Sequence, residues 1–558
     1  MIRGRLPHRS RAHGTDGSLS SAFSTALSTP KRQEIPCLVD KAVDNVDNSP
    51  GPAVDKWSPG SKKGKSRETG LFGPGPGAAL TGAAPWGTMG AINDPAGWGE
   101  GSGKMGSGFG YFGIMGAIFL FLVALFCMDR LCCRRPAPET PWPKREGTVG
   151  LLLFLVSFLI LFLLNDHSFV FYNNYSYLAD ALLHGHLYVD GMPAYLESVE
   201  FGGHVYMHFA PGPAILCLPF VAIFGVEGFN IAWLSLTLGA ANTALGYHVF
   251  RQMGVGRDRR ERIWCAALLT FGTVHCFLAA LGHGWFLGHV SSWFFLLLGM
   301  VFLTTPEEER KNVHLFLSGV FYGCAVTCRM PNLLGALFFG GCILTRFPRE
   351  KWVRSLLFFC LGAAIPGGLY MAYNYVRFGT IMDKGYNLTH LKDLFRDRYN
   401  EMQLLPKEEQ LAFLKAAESE VGGPLQLKHV RYNLYSIFLL GPEFTREYPY
   451  VIPTLAGVSL THLSPALYGA VRAEYRKDKL TWFLLAAAVV CAVPFLMNYG
   501  NGYAQFGMRY AMDFIPYVGI LAAMGLTRKP LNGWKAALIL FCVLANMWGP
   551  VYWNMFYK

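Results

Sequence analysis

Beyond residue 107 the chain is a succession of about a dozen apolar runs, each close to the length that crosses a lipid bilayer as a helix. In hydrocarbon every backbone N–H and C=O must be paired internally, so runs of this kind have few solutions, and continuous apolar helices are the one that fits. The runs are 108–127, 148–165, 228–250, 261–281, 284–304, 313–329, 332–346, 353–377, 448–472, 479–498, 504–526 and 534–555. The fold class they predict is all-α: a polytopic transmembrane bundle of about 11–12 spans. Composition agrees, with 52% hydrophobic and 15% charged residues, against roughly 25% charged in soluble chains.

Residues 1–107 are different. They are rich in Gly, Pro, Ser and Ala, with scattered charge and no apolar period, and they read as a disordered tail that cannot bury enough surface to offset chain entropy. The run 108–127 is then an extra amino-terminal membrane segment, and 148–555 the main transmembrane domain. Upstream extension of the true start, at Met105, gives the same division. Cys127, Cys132 and Cys133 flank the first run beside Arg134 and Arg135, a pattern open to palmitoylation or to a plain structural role. The other cysteines sit mostly inside apolar runs, with no CxxC pair and no His/Cys ligand spacing, so neither a disulfide framework nor a metal is expected.

Charge sets the orientation. The net charge of +12 comes largely from short basic loops, which orient helices and are not a nucleic-acid surface. Residues 211–225 (PGPAILCLPFVAIFG) are apolar but short and hold three prolines. If they do not span, the loops 128–147, 251–262, 346–354, 472–479 and 528–535 all fall on one side. The positive-inside rule therefore predicts a re-entrant or interfacial segment at 211–225 and places these loops in the cytoplasm. The opposite, extracytoplasmic face then holds 166–227, which has no Lys or Arg, the long loop 378–447, and the 498–508 turn. A surface helix is expected over 175–187. Two short helices are expected in the long loop, one over 406–420 and one within 424–440 that roofs a cavity.

Polar residues gather on that outer face. Asp166, Asp180 and Asp190 lie in the first outer loop with His184, His186, His204 and His208. His283, His289, Arg329, Tyr386, Asn501, Gln505, Arg509 and Asp513 follow at the outer ends of later runs. Each has an ordinary reading: solvated carboxylates, interfacial histidines, a snorkelling arginine, and Arg509 and Asp513 neutralising each other four residues apart. Their shared face favours a cavity open to the outside. A carboxylate and arginines above an apolar floor suit a lipid-linked phosphosugar: arginine forks hold phosphate, and a carboxylate takes the proton of the incoming hydroxyl. No cofactor is needed, and the absence of a Walker loop and of HExxH argues against an ATPase or a zinc protease.

Four strings carry a resemblance: YSYLADALLHGHLYVD, VYMHFAPGPAILCLPFVAIFG, YNYVRFGTIMDKGYN and YGNGYAQFGMRYAMDFIPYVG. Over about 148–555 the chain resembles the polytopic glycosyltransferases of the C superfamily (GT-C). It is most similar to bacterial membrane proteins of the protein mannosyltransferase and aminoarabinose transferase branch. The resemblance implies a glycosyltransferase that moves a sugar from a polyprenyl-phosphate donor to an unknown acceptor, in a bacterial plasma membrane. It implies a catalytic acid in the first outer loop, with Asp166 nearest by position and Asp180 second. Those transferases often carry an acidic pair where this chain has Asn173 and Asn174. Arg329 and Arg509 are donor-phosphate candidates by chemistry and side. His208, His283, His289, Tyr386, Asn501, Gln505 and Asp513 are candidate cavity residues. A transporter or flippase of lipid-linked or polar solutes, and a catalytically inactive scaffold, are the alternative readings.

Overall fold

The computed structural model describes residues 115–124, 142–193 and 195–557. The amino-terminal tail, half of the segment 108–127, the three cysteines at 127–133 and most of the loop 128–147 lie outside the described residues. The described chain is an all-helical bundle with two two-stranded hairpins, Val199–Phe201 with His204–Tyr206 and Glu443–Phe444 with Val451–Ile452.

Helices α1 (Met115–Ala124) and α2 (Trp142–Leu164) are followed by the short α3 (Asn174–Leu183) and by α4 (Gly212–Gly228). Next come α5 (Ala232–Gln252), α6 (Arg259–Thr270), α7 (His275–Leu281), α8 (Gly284–Leu303) and α9 (Asn312–Cys328). Then follow α10 (Ala336–Arg346) and the long α11 (Trp352–Phe378). The long loop folds into α12 (Gly385–Leu394), α13 (Arg396–Gln403), α14 (Lys407–Val421) and α15 (Val430–Phe438). The chain ends with α16 (Leu460–Leu463), α17 (Leu480–Met497), α18 (Ile515–Thr527) and α19 (Gly533–Tyr552). Five helices are long and apolar enough to cross a membrane alone, and a sixth if α6 and α7, bent by 66°, count as one. The protein is an integral membrane protein.

The basic loops do meet at one end. Glu146 accepts hydrogen bonds from Tyr247 and Arg259, Arg257 donates to the Arg528 carbonyl, and Arg528 pairs with Glu474. Arg346 pairs with Asp478, and Lys351 with Glu307. The other end is equally well marked: Asn230 donates to the Ser168 carbonyl, Gly284 to Tyr172, Gln426 to Met497, and Asn554 to Leu164. The two sets of contacts trace the chain from end to end. The bundle is traversed by α2, α5, α6–α7, α8, α9, 330–346, α11, 460–473, α17, 509–527 and α19, so short or broken segments complete traverses that no single long helix makes.

Residues 211–225 form α4, which does not traverse. Gly212 packs on Thr327 and Cys328 at the outer end of α9, while Asn230, just past its other end, is tied to Ser168. Both ends therefore lie on one face, and the exposed Ile215, Ile223 and Phe224 turn the helix's apolar side outwards. The expectation of a non-spanning segment holds for this physical reason.

Two expected spans are corrected. Residues 448–472 are not one helix: Pro449, Pro453 and Gly457 (φ 91°) break the first half into a hairpin and loop, and only α16 and a 3₁₀ turn over Pro465–Arg472 cross. Residues 504–526 likewise begin as loop and a 3₁₀ turn over Arg509–Asp513 before α18 starts. Elsewhere close packing depends on missing side chains. A Cβ at Gly319 would lie 2.0 Å from the Phe359 carbonyl, and one at Gly362 2.0 Å from that of Phe316, so α9 and α11 touch backbone to backbone.

Candidate active site at the polar end of the bundle

Helix α9 stops at Cys328 because Pro331 supplies no N–H and pushes the chain before it out of helical geometry. Arg329 is extended (φ −148°, ψ 106°) at that stop and aims its side chain into the bundle. There Nε donates to Asp513 Oδ1 at 3.1 Å and Nη2 to Oδ2 at 2.7 Å, a bidentate pair in which the Asp513 side chain is 2% exposed. Arg509 and Asp513 were expected to face each other as residues four apart on an α-helix. They lie in a 3₁₀ turn, where residues four apart are a third of a turn out of line, and Asp513 turns to Arg329 instead. Among the described residues no carboxylate pairs with Arg509, whose Nη1 donates to the Tyr503 carbonyl at 3.3 Å.

The two arginines share one ring. Each guanidinium lies 5.3 Å from the Tyr510 centroid, and Arg509 also sits 5.9 Å from that of Trp285. Between them is a small pocket of about 20 Å³, lined by Tyr175, Trp285, His289, Arg329, Tyr386 and Arg509 among others. His289 is 1% exposed, its Nδ1 has no hydrogen-bond partner, and Asp513 lies 3.7 Å away.

On the other side of Arg329 opens a cavity of about 520 Å³. Its polar wall is Arg329, Tyr370, Asp383, Tyr386 and Asn387, and its apolar wall Met330, Leu333, Leu334, Leu425 and Phe495. Met330, Leu333 and Leu334 are well exposed, so this wall opens sideways towards the lipid-facing surface. Asp383 is held in place by Tyr370 Oη at 2.6 Å, by the Gly385 N–H at 2.8 Å and by the fully buried Arg377 at 3.7 Å. The roof comes from Tyr386 and Asn387 on α12 and the turn 423–425. It does not come from α15, the second expected helix, whose Asn433 caps the end of α17 through the carbonyls of Phe495, Leu496 and Asn498. The first expected helix is present as α14.

A chain of contacts runs from the cavity to the first outer loop. Tyr386 Oη accepts from Arg329 Nη1 at 3.5 Å, its ring meets His208 edge-on at 5.5 Å, and His208 Nε2 lies 3.5 Å from Glu197 Oε2. The same oxygen accepts the Trp285 indole N–H at 3.2 Å. Burial pulls the His208 pKa below the usual histidine value, against the pull of Glu197, so the ring is neutral near pH 7. Burial pushes the Tyr386 phenol up, so it stays protonated.

The expected site residues thus divide. Arg329, Arg509, His289, Tyr386 and Asp513 line the cavity or its neighbouring pocket, and His208 links them to the loop. His283 stacks on Phe286 beside Tyr172 and lines neither. Asn501 and Gln505 brace the 498–508 turn, through Ser436 and the Ala456 carbonyl. Asp166 is exposed in a turn closed by Ser168, whose Oγ donates to it at 2.8 Å, and it lines neither cavity. Asp180 is half-exposed beside His184 on α3 and lines neither as well. Glu197 also lines neither cavity, but it touches Trp285 of the small pocket, and sequence reading passed it over. A signal for it exists in Asn174: this buried side chain donates to the Glu197 carbonyl at 3.5 Å, so the asparagine position holds the loop that carries the acid.

No family model matches this sequence, and no curated protein matches it. Among solved structures the chain is similar to an oligosaccharyltransferase of Archaeoglobus fulgidus tethered to an acceptor peptide containing the NVT sequon. The identity is 14% and the TM-score 0.42, covering 73% of this chain and 55% of that one. It is also similar to ArnT of Cupriavidus metallidurans bound to undecaprenyl phosphate, with 13% identity and a TM-score of 0.35, covering 71% of this chain and 62% of that one. The chain spans just over half the length of the first.

Proposed function

We propose that this protein is a membrane glycosyltransferase of the GT-C type, taking a polyprenyl-phosphate sugar on the extracytoplasmic face of a bacterial plasma membrane. The observation that carries the reading is the pair of arginines around Tyr510, of which Arg329 alone is paired with Asp513, next to a cavity whose other wall is apolar and laterally open. Two guanidiniums beside one buried carboxylate leave a net positive site that favours an anion, and phosphate is the anion an arginine fork fits. The lipid tail occupies the apolar wall, and the phosphate meets Arg329, Arg509 and the Tyr386 hydroxyl, which is free to donate because it accepts from Arg329.

In the transfer step Glu197 takes the proton of the acceptor hydroxyl, and the freed oxygen attacks the anomeric carbon from the face opposite the phosphate. The bond from that carbon to the phosphate oxygen breaks, and polyprenyl phosphate leaves with the electron pair, stabilised by the arginines. Neutral His208, 3.5 Å from the carboxylate, keeps Glu197 oriented. One inverting displacement follows, with no covalent enzyme intermediate. This reading replaces Asp166 and Asp180 as the base.

The test is binding. Purified protein in nanodiscs should gain thermal stability from added polyprenyl phosphate. Arg509→Gln should weaken that gain roughly tenfold in lipid concentration, because one charged hydrogen bond is worth about 1.5–3 kcal/mol. Stabilisation of the wild type by the lipid alcohol without phosphate, as strong as by polyprenyl phosphate, would refute the phosphate site.

A further inference from the structure

The first outer loop and the start of α8 build a shelf of aromatic rings at the mouth of the site. Tyr172 packs 4.6 Å from Trp285 and meets Tyr195 edge-on at 6.3 Å. Tyr172 is 38% and Tyr195 56% exposed, and the Glu197 side chain beside them is 52% exposed. Membrane-interface tyrosines and tryptophans anchor by pointing into lipid headgroups. Here the Trp285 indole is instead committed to Glu197, and the ring lines the arginine pocket.

We infer that this shelf is the acceptor subsite and that it takes a neutral saccharide unit, its C–H face on the more exposed Tyr195 ring, its rim against Tyr172 and a hydroxyl directed at Glu197. The inference rests on the transferase reading above and names its acceptor class. Three ligand chemistries fit aromatic rings beside a carboxylate, and contacts already made decide among them. A cationic headgroup would find an aromatic cage, but Arg509 already lies over the Trp285 ring and would repel it. A peptide would be expected to add as a strand to the neighbouring hairpin. That hairpin has no free edge at its centre. The Glu200 N–H donates to Tyr399 Oη at 2.6 Å and its carbonyl accepts from Gln403 at 2.9 Å. On the other strand the Val205 N–H donates to Asp190 at 2.7 Å, and its carbonyl accepts the Val189 N–H at 2.7 Å. A sugar needs no backbone edge. It offers an apolar face of C–H groups to the rings and hydroxyl donors to the acceptor-only carboxylate.

Saturation-transfer NMR on the full chain in nanodiscs, with maltotetraose and chitotetraose as probes, tests this without requiring turnover. Saturation should reach the sugar-ring protons, and Tyr172→Ala/Tyr195→Ala should weaken binding by roughly tenfold. Both tyrosine rings are exposed, so the double variant should keep the wild-type melting temperature. Saturating polyprenyl phosphate should not displace the sugars, which separates this subsite from the donor site. Absence of transfer to either sugar would overturn the inference. So would transfer that ignores the double variant, or displacement of the sugar by tetramethylammonium or by a Ser/Thr peptide. Sugar binding by a protein that shows no response to polyprenyl phosphate would sink the transferase reading and leave the shelf standing.

Discussion

The two ends of the bundle handle charge in opposite ways. At the basic end most ion pairs are on the surface: Lys351 with Glu307, Arg528 with Glu474, Arg346 with Asp478. Glu146 is the exception, buried among Arg251, Arg259 and Tyr247. At the outer end the charges beside the cavity lie inside: Asp513 at 2%, Arg329 at 13% and Arg377 at 0% exposure. Exposed pairs contribute little to stability, and their work is to orient helices. Buried pairs cost desolvation and repay it only with good geometry, so a cluster of them beside a cavity points to use, not to stability.

Removing one partner from each end tests that difference most severely. Asp513→Ala leaves Arg329 buried and unpaired and should destabilise the protein by about 3–5 kcal/mol, while Arg346→Ala should cost no more than about 1 kcal/mol. Denaturation in mild detergent reads both. Equal losses would mean that the outer cluster is no more buried in solution than the basic loops.

Glu197→Gln should leave the melting temperature unchanged and lower sugar transfer by at least roughly 10²-fold, the lower range for loss of a general base. Transfer at the wild-type rate would remove Glu197 from the mechanism.

Hydropathy made the traverses legible because apolar length is itself the physical requirement for crossing, and positive charge marked the common end of the loops. Backbone breaks inside apolar runs were harder. Residues 448–472 have the composition of a span, and their prolines and Gly457 were the sole local sign that half of it is loop. The same blindness joined Arg509 to Asp513, since a sequence does not announce a 3₁₀ turn. Of the site, the arginines and Tyr386 were legible from residue type and side. Glu197 was not. Its role depends on Asn174, His208 and Trp285, which meet it only through long-range packing.

Acidity should act on the first outer loop through His208. Its folded pKa lies below the ordinary value of 6.5, so its stabilising, uncharged state is complete above that value. That contribution is lost as pH falls from about 6.5 towards the depressed folded value. The protection of residues 196–210 against hydrogen exchange, corrected for the intrinsic slowing of exchange in acid, should therefore fall on mild acidification. His208→Gln, which cannot charge, should abolish the response. A response that persists in this variant would assign it to another group.

The smallest effect is expected at Asp166, and it sharpens the comparison because this residue shares the outer end with the buried cluster without sharing its chemistry. Its carboxylate accepts from Ser168 in a solvent-exposed turn and lines neither cavity. Asn at this position keeps one of the two acceptor oxygens, and the turn is exposed to solvent. Asp166→Asn should therefore change stability by no more than about 0.5 kcal/mol and leave donor binding and transfer at wild-type levels. Asp180→Asn should behave alike, since its carboxylate faces solvent and His184. A loss of transfer in Asp166→Asn beyond roughly tenfold, with the fold intact, would show that position in the chain, and not the packing around Glu197, locates the base.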